Sequence, residues 1–468
     1  MTEKKTKKVN RLLIAGMTSG SGKTTVTCAL LRCLLKRGYN LSSYKCGPDY
    51  IDPMFHEKAF GIGSRNLDSF FMGEDNLKFS LSKAQDGYAV IEGVMGIYDG
   101  NDPSSTAGSC YEIAAMTSTP VVLVVNCGKV GRTIISMIKG VLSDDEHKLI
   151  KGLILNNISG KFFEMLLPEM RNQISSDRPD VKFLGFFPKT KGIDFESRHL
   201  GLKLPGESDD TGSKILTASE IMEENVSVDG MISIMENAPE LDITNIDTEP
   251  ERTGEGLTLA VARDDAFCFY YRDNIEMFEE RGVKIKYFSP LNDDRVPRDV
   301  DGLLLGGGYP ELYLDKLSAN KSMLSSIKTF IDEKIPSLAE CGGFMYLGKT
   351  VKDSEGNIYE TVGAYDGECE FKGHLVRFGY MQIDDVSVKD SFYGNLKGLK
   401  GHEFHYYDST LNGELCIAKK PFRDVKWNCI VTRNNGIWGF PHFYYRSNPL
   451  FVEGFISKMK EVRDGKLK

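Results

Sequence analysis

The sequence predicts an α/β chain of two successive units, each built on an open parallel sheet, and three observations carry that expectation. Continuous apolar runs of strand length alternate with helical stretches. An acidic, polar segment between about Pro205 and Gly256 interrupts the alternation, which then begins again. The first run passes directly into a glycine-rich loop and a helix. Strands buried on both faces read as unbroken Val/Ile/Leu runs, and parallel neighbours require crossover connections. A chain of 468 residues is also too long for a single core.

In the first unit the runs are RLLIAG, NLSSYKCG, YAVIEGVMG, PVVLVVN, KGLILNNI and KFLGFFP, from Arg11 to Pro188. Ligands of such a sheet sit at the carboxyl ends of its strands. The second unit repeats the pattern with LTLAVARD, helical YYRDNIEMFEERG, KIKYFSP, DGLLLGGG, helical SMLSSIKTFIDEK and PSLAECGG. The expected division is therefore 1–205 for the first domain, 206–256 for a junction whose linker lies nearest Ala238 to Gly256, and 257–468 for the second domain.

Composition excludes several function classes. With 58 basic and 66 acidic residues the net charge is −8, which disfavours non-specific association with nucleic acid or anionic membrane. No run of about 18 apolar residues appears, and the lysine-rich start at Lys4 to Lys8 lacks the apolar segment of a signal peptide. The expectation is a cytoplasmic protein. Ten cysteines without a CxxC pair point to reduced thiols rather than a disulfide or zinc framework.

The segment RLLIAGMTSGSGKTT, Arg11 to Thr25, reads as strand, phosphate loop and helix start. Gly16, Gly20 and Gly22 let backbone N–H groups face phosphate oxygens, Lys23 can reach the β/γ-phosphates, and the Thr24 hydroxyl can hold Mg²⁺. Five residues separate Gly16 from Gly22, one more than in the plain P-loop, but the flanking strand and helix supply the context. Downstream, KCGPDYIDPMFH places Lys45, Asp49, Asp52 and His56 at the end of the second strand, and IEGVMGIYDG places Glu92 and Asp99 at the end of another. Carboxylates there suit Mg²⁺, and Lys45 can neutralise charge on a transferring phosphoryl group. Turn-forming aspartate beside Pro and Gly is the competing reading of Asp49, Asp52 and Asp99. The loop FPKTKGIDFESRHLGL adds Lys189, Lys191, Arg198 and His199, suited to an anionic ligand or to plain solvated surface.

In the second unit SLAECGGFMYLG sets Cys341 at a strand–helix junction, where a thiol is expected to be exposed and its thiolate stabilised by the helix N-terminus. Gly306 to Gly308, at a strand end, can offer N–H donors to an oxyanion. His442 in IWGFPHFYYRSNP, with His402 and His405 in GHEFHY, supplies candidate bases. A buried structural cysteine is the competing reading of Cys341.

Seven segments in order, GMTSGSGKTT, YKCGPDYIDPMFH, IEGVMGIYDG, ESRHLGL, GGGYPELY, AECGGFMYLG and GHEFHYYDS, resemble the cobyrinate a,c-diamide synthase family, glutamine-dependent enzymes of corrinoid biosynthesis. The resemblance spans nearly the whole chain. It implies a P-loop, dethiobiotin-synthetase-like parallel-sheet domain followed by a class I glutamine amidotransferase-like α/β domain. It implies ATP and Mg²⁺, glutamine as nitrogen donor, and cobyrinate or a related tetrapyrrole polycarboxylate as substrate, with a homodimer as the candidate assembly. Gly20, Gly22, Lys23, Thr24 and Thr25 would then bind ATP, and Thr24, Glu92 and Asp49 the metal. Lys45, Asp49, Asp52 and Asp99 would serve the reacting centre, with Tyr50, Arg198 and His199 on the substrate. Cys341 would be the glutaminase nucleophile and His442 its base, each carboxylate being activated as an acyl phosphate before ammonia attacks.

One position departs from the pattern. Many amidotransferases of this class carry glutamate two residues after the histidine, whereas Tyr444 stands there, leaving the third triad role open and His405 as the alternative base. Three other readings stay open: an a,c-diamide synthase for nickel sirohydrochlorin or hydrogenobyrinate, a partitioning-type P-loop ATPase switch, and a second domain that binds without hydrolysing glutamine.

Overall fold

Val121, Val122, Leu123, Val124 and Val125 are all fully buried, as are Leu12, Leu13 and Ile14, and runs of this kind form the spine of the first unit. The computed structural model describes residues 5–193, 195, 197–198, 201–202, 210–244, 246, 250–388 and 390–466, with 197–198, 201–202, 391 and 466 described by backbone alone. Two compact units emerge, Met1–Ile246 and Asp247–Lys468.

The first unit holds a seven-stranded sheet of β1 (Asn10–Gly16), β2 (Ser42–Cys46), β3 (Ser64–Leu67), β4 (Tyr88–Glu92), β5 (Val121–Asn126), β6 (Ile150–Asn156) and β7 (Lys182–Phe187). Their spatial order is β3-β2-β4-β1-β5-β6-β7 and every pairing is parallel. The six predicted strands are present. The added edge strand β3 reads SRNL, too short and polar to announce itself. The crossover helix α1 (Lys23–Lys36) buries Val26, Ala29, Leu30, Cys33 and Leu34, the i, i+3, i+4, i+7, i+8 stripe of a core-facing helix. Next comes α2 (Ile51–Phe60), behind the turn that follows β2.

The expected junction 206–256 is folded differently over most of its described length. Thr211–Asn225 (α3) and Val228–Glu236 (α4) are helices whose Ala218, Met222, Met231 and Met235 join Leu30 and Leu34 of α1 in one core. Gly185 of β7, at φ +137°, makes this approach possible, because a Cβ there would lie 2.0 Å from the Asn225 carbonyl oxygen. Buried Arg11 donates to the carbonyls of Pro239 (2.8 Å) and Thr117 (2.6 Å), and Leu241–Asp242 pairs with Thr6–Lys7. The first unit therefore runs to Ile246, within the stretch Ala238 to Gly256 given for the linker, and takes α3 and α4 with it. Both α3 and α4 carry their charge on the face away from the core.

The second unit has a five-stranded parallel sheet made of β8 (Thr258–Ala262), β9 (Lys284–Phe288), β10 (Gly302–Leu305), β11 (Ser337–Glu340) and, from far downstream, Gly436–Gly439. A short helix, α5 (Gly342–Leu347), leaves β11. An antiparallel sheet, absent from the sequence expectation, contains β12 (Arg377–Val386) and β13 (Lys400–His405); the late parallel strand is β14 (Gly436–Gly439), and β15 (His442–Tyr444) returns to pair with β13. All ten cysteines are free thiols, and among the described residues no helix is long and apolar enough to cross a membrane.

Candidate active site

Each unit gathers reactive side chains where its parallel strands end. In the first, Gly22 caps α1 in the left-handed region at φ +94°, and a Cβ there would sit 2.1 Å from Nδ2 of Asn156. That amide donates to the Ser21 carbonyl at 2.9 Å, so the end of β6 braces the loop. Gly20 needs glycine for conformation alone, at φ +72° with nothing within 4 Å of its Cβ direction. Sequence reasoning passed over Asn156; its signal was the Asn-Asn doublet closing an apolar strand.

Lys23 turns its Nζ to the Met95 carbonyl at 2.6 Å, and burial followed by the charge of Lys45 lowers its pKa. The Thr24 hydroxyl donates to Oε1 of Glu92 at 2.7 Å. Lys45 Nζ donates to the same oxygen at 2.9 Å and lies 2.5 Å from Oδ2 of Asp52, while Nε2 of His56 stands 3.2 Å from Oε2 of Glu92. Glu92 and His56 are fully buried. Burial alone would raise the Glu92 carboxyl, but Lys45, His56 and Thr24 hold it well below the ordinary carboxylate range. For Lys45 burial alone would lower the pKa, yet Asp52, Glu92 and Asp49 drive it well above its usual value. The result is a cation fixed between two carboxylates.

Asp49 accepts the Ile51 N–H at 2.7 Å at the head of α2, and burial with the neighbouring Asp52 charge pushes its carboxyl up to about 6. Tyr50 is buried beside it and Thr25 is half-buried in α1. Asp99 is exposed, accepts the Gly96 N–H at 2.8 Å, and reaches Lys23 by charge. The Arg198 side chain and the whole of His199 lie outside the described residues. Thr24 and Glu92 offer Mg²⁺ an all-oxygen pair with the carboxylate kept ionised. Among the described residues no group of three or more His, Cys, Asp or Glu side chains could hold a metal.

In the second unit Cys341 follows β11 with φ 46° and ψ −104°, a strained elbow of the kind that presents a nucleophile. Its N–H donates to the Gly439 carbonyl at 2.8 Å, tying it to β14. Glycine at 342 and 343 is obligatory, since Cβ atoms would lie 2.7 Å from Pro310 Cδ and 2.2 Å from the Leu305 carbonyl oxygen. The thiol differs from the sequence expectation. It is buried, at 8% exposure, and burial pushes its pKa up, with Glu311 adding to the effect. A six-residue helix supplies too small a dipole to outweigh the surrounding apolar groups. Such a thiol needs a base.

His442 opens β15 with its ring against Gly307, where a Cβ would be 2.3 Å from Cε1, and stacks on His402 with ring centroids 5.0 Å apart. Burial drives His442 well below its ordinary pKa, and His402 and His405 add to this, so the imidazole is neutral and able to take a proton. The His402 Nδ1 lies 3.1 Å from the Tyr271 hydroxyl. His405, the alternative base, has Nδ1 2.6 Å from the Tyr407 carbonyl and Nε2 3.1 Å from Glu403, with its ring stacked on Phe440; both nitrogens are engaged in structure. Of the proposed oxyanion donors, Gly306 already gives its N–H to the Tyr270 hydroxyl at 2.8 Å. Tyr444 directs its hydroxyl to Asp273 at 2.9 Å. Sequence reasoning quoted Glu340 inside AECGG without giving it a role.

The model of the CobQ/CobB/MinD/ParA nucleotide binding domain matches residues 12–202, and that of the CobB/CobQ-like glutamine amidotransferase domain matches residues 258–438. Similar curated proteins include a cobyrinate a,c-diamide synthase from Clostridium tetani (strain Massachusetts / E88), 37% identical and covering 96% of this chain and 99% of that protein. The protein of the same name from Caldanaerobacter subterraneus subsp. tengcongensis is 36% identical over 95% of this chain and 97% of its own length. That of Clostridium acetobutylicum is 34% identical over 95% and 99%.

Proposed function

The chain belongs to the cobyrinate a,c-diamide synthase family, and on that premise we propose that it amidates the a and c side-chain carboxylates of cobyrinate in two rounds, each using one ATP and one glutamine. The observation that supports this most is the presence in one chain of two separate chemistries, an ionised Glu92 clamped by Lys45 and Thr24 beneath a glycine loop, and a cysteine on a positive-φ elbow.

The loop N–H groups of Gly20 and Gly22 with Lys23, Thr24 and Thr25 bind the triphosphate, Lys23 leaving the Met95 carbonyl for the phosphates. Thr24, Glu92 and Asp49 would hold Mg²⁺, and the ion would supply charge neutralisation on the phosphate oxygens. A substrate carboxylate oxygen attacks the γ-phosphorus and ADP leaves, giving an acyl phosphate. Lys45 is the fixed cation beside that transfer, and Asp49, Asp52, Asp99 and Tyr50 line the centre. Arg198 and His199 contact the polycarboxylate ring. Activation is necessary because a carboxylate oxygen is a poor leaving group, whereas ammonia displaces phosphate readily.

At the other centre His442 takes the Cys341 proton, the sulfur attacks the glutamine amide carbon, and the C–N bond breaks as that proton passes to the departing nitrogen. Ammonia leaves, and water hydrolyses the thioester to glutamate. The raised thiol and the lowered imidazole match a neutral resting pair that transfers its proton only during attack.

Two experiments test the reading. Cobyrinic acid and nickel sirohydrochlorin offered side by side with ATP, Mg²⁺ and glutamine should give the cobyrinate diamide by mass spectrometry, and preferential amidation of the nickel ring would reassign the substrate. Cys341→Ser should abolish glutamine use while synthesis from free ammonia continues. Glutamine use surviving in that variant would refute the nucleophile.

A further inference from the structure

Glu340 ends β11 immediately before the cysteine and is 7% exposed. It pairs in register with Gly439 of β14, three residues upstream of His442, so the histidine returns beside it. Its Oε1 accepts the Tyr445 hydroxyl at 2.9 Å and lies 3.5 Å from the Phe443 N–H. That fixes the carboxyl plane. The other oxygen, Oε2, lies 3.9 Å from Nδ1 of His442. This is longer than a hydrogen bond, but catalytic contacts of this kind commonly tighten only once substrate is bound.

Resting on the assignment of Cys341 and His442 above, we propose that Glu340 is the positioning carboxylate of the glutaminase centre, facing Nδ1 of His442 so that Nε2 is the nitrogen that takes the thiol proton, and holding the imidazolium that results. The part usually given to a glutamate two residues after the histidine is thereby supplied from the opposite strand, by the residue before the nucleophile. Tyr444 occupies the usual place and turns to Asp273 instead. The proton moves from Sγ to Nε2 and then to the leaving nitrogen, and Glu340 stays ionised throughout.

Charge balance gives the arrangement a pH signature. Burial pushes the Glu340 carboxyl up to about 8, with the Tyr445 hydroxyl and Phe443 N–H pulling it back. The other titratable groups facing this pair are Cys341 directly after its strand, Tyr270 and Tyr445 on neighbouring elements, and His402 and His405 around His442. Glutamine-dependent turnover therefore rises with pH through about 8 as Glu340 ionises.

The test is the ratio of glutamine-dependent to ammonia-dependent synthesis across pH 6 to 9 in the full chain. E340Q should lower the ratio by about 30-fold or more through kcat, leave KM for glutamine within about threefold, and remove the rising limb. Y445F deletes a bond that favours the ionised carboxyl, so it should move the limb to higher pH, by about one unit, with the plateau within about threefold. Trp438, bonded to Ser337 of the same strand, reports folding through its fluorescence. If E340Q does not fold, Y445F and the wild-type profile decide. E340Q retaining the ratio or the limb, Y445F losing as much activity as E340Q with an unmoved limb, or a flat wild-type profile would overturn the assignment. Cys341→Ser retaining glutamine use would instead refute the underlying nucleophile.

Discussion

Lys45→Met removes the cation of the buried Asp52–Lys45–Glu92 cluster while keeping most of its side-chain volume, so the cost is electrostatic rather than a cavity. Nζ stands 2.5 Å from Asp52 and 2.9 Å from Glu92, and Glu92 has no exposure. Each contact has a gross attraction of about 6 kcal/mol at an effective dielectric near 20, most of it offset by the desolvation of three charges. What counts is what remains, two buried carboxylates with His56 as the nearby partner of Glu92, and breaking such a pair costs about 3–5 kcal/mol. The loss should depend on pH. In the wild type Glu92 is held below its ordinary value of 4.5, so its contribution is complete above that value and disappears as pH falls through the folded-state pKa. In the variant burial raises the orphaned Glu92 carboxyl, so the protein is weakest above its new pKa and recovers as it protonates. The difference between the two proteins is therefore largest near pH 7 and shrinks toward pH 5. Both tryptophans, Trp427 and Trp438, lie in the second unit, so their fluorescence serves as an internal control while hydrogen exchange in β4 reports the first. Protection of residues 88–92 should fall by about 3–5 kcal/mol at pH 7 with the tryptophan transition unmoved. A loss under about 1 kcal/mol, or an equal loss at pH 5 and pH 7, would refute the reasoning.

Gly22→Ala forces a Cβ to 2.1 Å from the Asn156 amide at φ +94°, whereas Gly20→Ala meets only backbone strain. Calorimetric titration with ATP should show an affinity loss beyond about tenfold for the first and a smaller one for the second. Asp49→Asn removes a carboxyl that burial and the Asp52 charge push up to about 6, so ammonia-dependent synthesis, expected to rise with pH through about 6 in the wild type, should lose that limb in the variant. His442→Ala should abolish glutaminase activity. His405→Ala should instead lower the tryptophan-monitored Tm by several degrees, because the Phe440 stacking and the Glu403 and Tyr407 contacts are lost, with thioester formation retained.

The order of strands and helices was legible wherever burial on both faces wrote an unbroken apolar run, as in PVVLVVN and RLLIAG. Ser64–Leu67 was not, because an edge strand needs no such run; β12 was not, because a half-exposed strand carries a weaker pattern, and β13 was not, because its buried positions are mostly glycine, histidine and glutamate rather than an apolar run. Lys23, Thr24, Lys45 and Glu92 were legible as motif members, and the structure brings Thr24 and Lys45 onto one carboxylate oxygen of Glu92. What the sequence could not carry was depth and direction. Cys341 reads as an exposed elbow, yet it is buried in the core cluster that also holds Phe344 and Phe440, and that burial, with Glu311, raises its thiol. Asn156 and Glu340 act through strand ends that meet only once the sheet forms, so the Asn-Asn doublet was the one sequence signal for Asn156 and Glu340 had none. The packing of α3 and α4 onto the first core was not legible, because the glycine that receives them, Gly185, lies in a strand that reads as complete without them.

The most direct test of the proposed chemistry is a doubly labelled turnover with cobyrinate carrying ¹⁸O in its a and c carboxylates, glutamine carrying ¹⁵N in its amide, unlabelled ATP and Mg²⁺. One ¹⁸O should appear in the inorganic phosphate for each amide formed, and each new amide should carry ¹⁵N. Unlabelled phosphate accompanying labelled amide would contradict activation of the carboxylate by phosphorylation.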